Sequence, residues 1–416
     1  MAHLISIYHE KRRLKDNGKF SVKLRVYNKV NNLKKVRYFK TDIDLTEDEF
    51  KTIWTNPENK SLRGKNREIE LKLKGLETRA NKVADEMTVF DFSDFEMKFF
   101  RKSSDKNSVK YYFDTIIKNK IADNKIGTAE SYKYTLNSLI DFSQTENNFS
   151  VEKLTFGFIN VKWLKEYEKF MLAKGKSYTT IAIYTRTLRA VFNIAIESND
   201  ISNDIYPFGK NKYKIPRTKK VKKALNSKEL KTLFAAKTLN ENEEKSKGFW
   251  FFSFACNGMN LKDIALLKYS DINDDKFTYY RAKTFDKSAE KSVITIYLTD
   301  FTNGVIKKHG NKKKNSFVFD IISEKDDNLT QYKKIKNFTR YINDHIKRVA
   351  KRAEISNDIS TYWARHSFAT NSLRKGASME FISEALNHSD LSVTKNYFAG
   401  FEDEAKKEFA NTIMDF

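Results

Sequence analysis

The sequence predicts a multidomain, mainly α chain: an α+β unit at the N-terminus, a helical unit in the middle and a larger α+β unit at the C-terminus. Three observations predict it. The first 60 or so residues alternate apolar and polar side chains at period two, residues 108–205 carry apolar residues at helical spacing, and beyond residue 226 helical runs are interrupted by two strand-like segments. A chain of 416 residues is long for one domain, and its 40% apolar content is enough for real cores.

In chain order, KFSVKLRVYN (residues 19–28) puts Val22, Leu24 and Val26 on one side and Lys23, Arg25 and Tyr27 on the other, which is strand periodicity. KKVRYFKTDIDL (34–45) reads as a second, more basic strand that carries Arg37, with NKVNN as the hairpin connection. In LTEDEF, Thr46 followed by Glu49 has the form of a capping box. Residues 67–87 read as one helix that contains Gly75. These elements and a connector form a basic domain over residues 1–105. A basic two- or three-stranded sheet fits the DNA major groove, which makes Lys23, Arg25 and Arg37 candidate DNA contacts. A module that only packs on its neighbours fits the same pattern.

Residues 106–206 read as four helices: 108–122, 127–144 with Thr128 as cap, 160–175 with Gly175 closing the end, and 177–199. In the last, Tyr184, Leu188, Val191, Ile194 and Ala195 share a face, and Arg186 and Arg189 lie off it, placed for phosphate contact or for solvent. PFGKNKYKIPRTKKVKKAL (207–225) holds two of the three prolines and a run of lysines, and reads as a linker whose Lys219, Lys220 and Lys222 suit a phosphate backbone. From residue 226 a capped helix leads into GFWFFSFACNGMN (248–260), apolar enough to be buried. An amphipathic helix follows, then strands near 277–283 and 293–298, helices near 302–308 and 339–353, and the helical stretch ARHSFATNSLRKGASMEFISEALNHSD.

The formal net charge of +24, from 78 Lys and Arg spread along the chain, is an electrostatic footprint for a polyanion, with nucleic acid the first candidate. A composition rich in Lys and Asn is the other source of such charge. The single cysteine, Cys256, excludes an intramolecular disulfide and argues for a reducing compartment. The N-terminus lacks a signal-peptide core and no stretch has the length of a membrane span, so a cytoplasmic protein is expected.

Three residues near the C-terminus stand in a fixed register: Arg365, His388 23 positions later, and Tyr397 nine beyond that. In this register, within RHSFAT and ALNHSD, the C-terminal part resembles the catalytic domain of tyrosine recombinases, the phage-integrase family, and is similar in particular to integrases of Bacteroidetes mobile elements. The resemblance implies an arm-type DNA-binding domain (1–105), a helical core-binding domain (106–206), a basic linker (207–225) and a catalytic domain with a tail helix (226–416). It further implies site-specific recombination of duplex DNA by a homotetramer through a Holliday junction, in a bacterial, nucleoid-associated setting, with DNA-bending or directionality proteins as possible partners and no cofactor or metal. The tail, with Phe401, Ala405, Phe409 and Ile413 at four-residue intervals, suits docking on a neighbouring subunit or on its own domain.

The chemistry agrees with that pattern. A tyrosine hydroxyl can attack phosphorus and form a 3′-phosphotyrosyl link that a second 5′-hydroxyl later resolves. Its ordinary pKa of about 10 calls for a cationic pocket. Tyr397 is therefore the expected nucleophile, Arg365 the phosphate fork and His388 a second donor. The resemblance carries Lys283, in YYRAKT, to the general acid of the family's β-hairpin, and His366 to a packing neighbour. Two positions depart from the family. Asn260, in GMN, stands where the family has its first arginine, leaving Lys262 and Arg281 as unranked substitutes, with Asp263 retained downstream. Tyr362 stands where histidine is frequent. These departures keep open a non-cleaving DNA-binding accessory protein. A type IB topoisomerase shares the nucleophile, and a helical scaffold or RNA-binding protein would explain the charge but not the register.

Overall fold

The computed structural model describes residues 3–30, 33–55, 62–87, 90–101, 103–147, 153–217, 223–285, 292–313, 316–388, 390–395 and 403–412. The chain divides into two compact units, Met1–Tyr111 with Glu152–Phe158 and Phe192–Tyr206, and Tyr112–Val151 with Ile159–Val191 and Pro207–Phe416.

The first unit opens with an antiparallel sheet in the order β1 (His3–Leu14), β2 (Phe20–Val30), β3 (Leu33–Leu45). The period-two pattern places Val22, Leu24 and Val26 in the core, as expected, and β1 is the third strand that the pattern alone did not locate. In this register Ser6, Arg25 and Tyr38 lie side by side on the other face, next to Tyr8 and Lys23. Arg37 belongs to the opposite face, 3.9 Å from Glu96 and over the Phe92 ring. The Thr46–Glu49 capping box opens α1 (Glu47–Phe50), which runs into a π-turn, Lys51–Thr55. α2 (Gly64–Asp85) buries Leu73, Ala80 and Ala84, and with α3 (Phe92–Phe99) it closes the core. Beyond α3, Arg101 forms a buried ion pair with Asp200 and covers the Tyr111 ring.

α4 (Val109–Ala122), α5 (Ile126–Asn147), α6 (Val161–Ala173) and α7 (Tyr178–Glu197) supply the helical region. Thr128 lies inside α5, which begins two residues before it, so it is not the cap. Asn160 does cap α6 through Trp163 N, and Gly175 ends it at φ 70°. In the second unit Phe142 packs edge-on against Trp163 and Tyr167.

The expected linker is more ordered than its composition suggests. Phe208 and Tyr213 are buried and bridge each other, and the Tyr213 hydroxyl donates to Glu168 of α6 at 2.5 Å. At the far end Leu225 is buried, with its N–H on Ser367 Oγ at 2.9 Å and its carbonyl accepting from Asn371 Nδ2 at 2.8 Å. Apolar side chains spaced among the lysines cause this: aromatic burial outweighs the preference of the charges for solvent.

α8 (Ser227–Ala235) starts at an Asn226–Glu229 capping box. α9 (Glu241–Ala255) is central. Phe249 and Phe252 face the small sheet, and Trp250 and Phe251 face α8 and the long helix below, so two faces are buried and the run is apolar all round. α10 (Leu261–Leu266) leads to the antiparallel sheet β4 (Ile272–Asn273), β5 (Lys276–Tyr279), β6 (Ile294–Tyr297). Next come α11 (Asp300–His309), α12 (Asn328–Arg352), which starts a full 11 residues before the predicted helix, α13 (Thr361–Arg374), α14 (Met379–Ala385), α15 (Leu391–Lys395) and α16 (Asp403–Thr412). Among the described residues no helix is long and apolar enough to cross a membrane.

Candidate active site

The site is built where α9 ends. Asn257 (φ 54°) and Gly258 (φ 66°) turn the chain through the left-handed region, and Met259 N–H closes the turn on Ser253 O and Cys256 O. Gly258 is required here twice over. Its φ suits glycine, and a Cβ would stand 2.6 Å from Arg365 Cα. The close approach seats α13 on the turn, so Arg365, only 1% exposed, donates through Nη1 to Gly258 O at 3.1 Å.

The other end of that guanidinium meets the end of α14. Asn387 N–H bonds Glu384 O and His388 N–H bonds Ser383 O, the paired bonds of a Schellman motif, with Asn387 at φ 49°. Asparagine tolerates this left-handed conformation better than other residues with a Cβ. The motif presents Leu386 O to Arg365 Nη2 at 2.5 Å and sets His388 Nε2 3.3 Å from the same nitrogen. His388 therefore follows the helix cap and is not itself the cap. Its Nδ1 lies 2.9 Å from Thr394 Oγ1 on α15.

Arg281 comes from the other side. It is 7% exposed, and its Nη1 donates to Leu386 O at 3.3 Å, so two guanidiniums share one carbonyl. Its turn is fixed by Asp263 Oδ1, which accepts from Ala282 N–H at 3.0 Å. Asp263 thus supports the turn. Burial raises its pKa, against the pull of that N–H and of Arg281, Arg365 and Lys262. Lys283 is exposed on the same turn and is not on the strand, which ends at Tyr279.

Three cations gather around His388. Burial first, then Arg365, Arg281 and Lys283, hold its pKa down to about 4, so the ring is neutral at pH 7. Of the two substitutes left open by the sequence, Arg281 is in this cluster and Lys262 is exposed. A signal for this was present: Phe277, Tyr279 and Arg281 alternate, and all three are buried.

The remaining candidates fall as follows. Asn260 is half-buried at the start of α10, where its carbonyl, not its side chain, accepts from Asp263 N and Ile264 N. Tyr362 is 49% exposed, with its ring edge-on to that of the buried His366. Arg186 and Arg189 are exposed on α7. Lys23 and Arg25 are half-buried, paired with Glu10 at 3.3 Å and Ser6 at 3.2 Å. Tyr397, Lys219, Lys220 and Lys222 lie outside the described residues. Thr394 was not singled out from the sequence at all.

Two family models match the chain, one described as phage integrase SAM-like domain over residues 108–215 and one as phage integrase family over residues 223–404. The chain belongs to the phage integrase family of tyrosine recombinases. It is similar to the tyrosine recombinase XerC of Listeria welshimeri, with 26% identity over 288 residues that span 65% of this chain and 86% of that one. The tyrosine recombinase XerD of Staphylococcus aureus is 24% identical over 285 residues, spanning 67% and 88%. Among solved structures, a lambda integrase(75-356) dimer bound to a COC′ core site has a TM-score of 0.50 at 14% identity, covering 71% of this chain and 98% of that one, a likeness of fold. The chain is thus a site-specific recombinase, mainly helical and multidomain.

Proposed function

We propose that this recombinase cuts and rejoins duplex DNA of a mobile element without metal or cofactor, through a 3′-phosphotyrosyl link formed by Tyr397. The observation that carries the reading is the convergence of Arg365, Arg281 and Lys283 on His388, at a glycine turn that admits the arginine backbone. A cluster of several cations and one neutral imidazole suits a phosphodiester whose non-bridging oxygens gain charge as phosphorus is attacked. In this reading Arg365 is the fork on two of those oxygens and Arg281 supplies the positive charge that Asn260 lacks. Lys283 protonates the leaving 5′ oxygen, and His388 contacts the phosphate through Nε2. Tyr362 sits at the rim.

The proposed division of labour follows the domains: residues 1–105 for arm sites, with Lys23 and Arg25 on the open sheet face; 106–206 for the core site, with Arg186 and Arg189 toward phosphate; 207–225 as a basic connector; and 226–416 for catalysis. Arg37, on the opposite face and engaged by Glu96 and Phe92, is left out of that surface. The assembly is a homotetramer on two DNA sites, joined by DNA-bending or directionality proteins. The curated relatives carry recombinase names, and the lambda integrase structure is a complex with a core site, which supports DNA as the partner.

The test is a nicked duplex spanning a candidate element end, incubated with the recombinase and resolved under denaturing conditions. Wild type should give a protein–DNA adduct, absent from Tyr397→Phe and from Arg365→Ala. An adduct that survives Tyr397→Phe refutes the assignment of the nucleophile. Site-specific binding with no adduct from any variant supports the accessory reading that Asn260 keeps alive.

A further inference from the structure

We propose that Thr394 is a positioning residue for the reaction: its hydroxyl holds the direction of the His388 ring, whose tautomer Arg365 sets, and so links the turn that precedes the nucleophile to the cationic cluster. The inference rests on the reading above for its activity arm, but not for its structural arm.

A guanidinium only donates hydrogen bonds. Arg365 Nη2 lies 3.3 Å from His388 Nε2, so in the neutral ring Nε2 must be the acceptor. The ring proton then resides on Nδ1, which donates to Thr394 Oγ1 at 2.9 Å. Thr394 is 0% exposed, so no water is at hand to replace the hydroxyl. With Nδ1 held, Nε2 is the ring atom turned toward the cluster. It accepts while neutral. Once protonated it donates to an anion, and the Nδ1–H bond to Thr394 is unchanged in both states. A valine at 394 would keep the shape, lose the acceptor and strand Nδ1–H in a buried place; Arg365 Nη2 still faces Nε2, so the ring keeps its tautomer but loses the bond that holds its direction.

Among the described residues, the charged groups that bear on His388 are Arg365 from α13 and Arg281 and Lys283 from the turn after β5, and all three repel a proton on the ring. From α15 the ring meets the Thr394 hydroxyl. In sequence Thr394 precedes Tyr397 by three positions, so a bond made by α15 to His388 bears on both partners of the proposed chemistry.

The structural arm uses the full chain without DNA, labelled with ¹⁵N-histidine, with the His388 signals assigned by their loss in His388→Gln. At pH 7 the wild type should show the Nδ1–H tautomer. Thr394→Val should keep that tautomer but move the Nδ1–H proton signal upfield as its hydrogen bond is lost, and Thr394→Ser should move it back. A wild type in the Nε2–H form, or a Thr394→Val ring whose Nδ1–H signal is unmoved, overturns the proposal whether or not the protein cleaves DNA. The activity arm is the adduct assay across pH. Thr394→Val should slow adduct formation roughly tenfold, about what one neutral hydrogen bond is worth, and move the acid limb of the profile. Thr394→Ser should recover most of the rate. Equal losses in Val and Ser, with the pH profile unmoved, indicate packing alone and refute positioning. Should the wild type form no adduct, the reading of the reaction fails and the Nδ1–H measurement still decides the role of Thr394.

Discussion

Replacing Gly258 by alanine tests the construction of the site most directly. The added Cβ would lie 2.6 Å from Arg365 Cα, 2.9 Å from its Cγ and 3.0 Å from its Cβ, and the residue would keep φ 66°. Left-handed backbone costs a residue with a Cβ about 1–2 kcal/mol, and overpacking against main chain about 1–3 kcal/mol. Their sum, about 3 kcal/mol, lowers the melting temperature of a 150–250-residue domain by roughly 6–12 °C. The same push moves α13 and pulls Arg365 Nη1 from Gly258 O, so adduct formation should fall by about two orders of magnitude even where the variant is folded. Thermal melting followed by circular dichroism, and the adduct assay 15 °C or so below the variant's midpoint, measure the two effects separately. Gly304→Ala is the control: nothing lies within 4 Å of its Cβ in α11, so it should gain about 0.5–1 kcal/mol and keep full activity. A Gly258→Ala protein that melts with the wild type and cleaves at its rate would refute the claim that the turn seats Arg365.

Arg281→Ala should cost about 10²-fold in adduct formation, with Lys262→Ala within twofold; the reverse order would reassign the missing charge to Lys262. His388 gives a pH signature in stability. Its pKa is lower in the folded protein, about 4 against an ordinary 6.5, so the unfolded chain binds more protons between those values. Stability from this group is full above pH 6.5 and is lost as pH falls toward 4. The full shift would amount to roughly 3 kcal/mol, reduced for a half-buried ring to on the order of 1–2 kcal/mol. Denaturant titrations of wild type and His388→Gln should diverge in that window and run parallel above it. Tyr213→Phe should destabilise by about 1–3 kcal/mol, because it removes the donor to Glu168, and chemical denaturation would show it as a lower midpoint.

Much of this was legible in the residues. Val22, Leu24 and Val26 could only face a core, the Thr46 and Asn226 caps are local chemistry with their partners three residues away, and the register of Arg365, His388 and Tyr397 needs no coordinates. What stayed hidden depends on distant pairings. The order around Phe208 and Tyr213 was hidden among the lysines, although burying two aromatic rings outweighs several solvated charges. The face that Arg37 takes depends on the pairing of β2 with β3, where one position of register separates it from Tyr38. Thr394 gives no local signal, since its partner is defined by a cap six residues upstream and by an arginine on another helix.

The strap at Leu225 has a mechanical meaning. Ser367 and Asn371, one turn apart on α13, grip that residue's N–H and C=O, and Asn371 also receives the hydroxyl of Ser227. Arg365 stands two residues before Ser367 on the same rod. Tension arriving along the chain from the preceding segment therefore ends at the helix that carries Arg365, and if that residue is the phosphate fork proposed above, a displacement of the connector would be felt as a small rotation of its guanidinium.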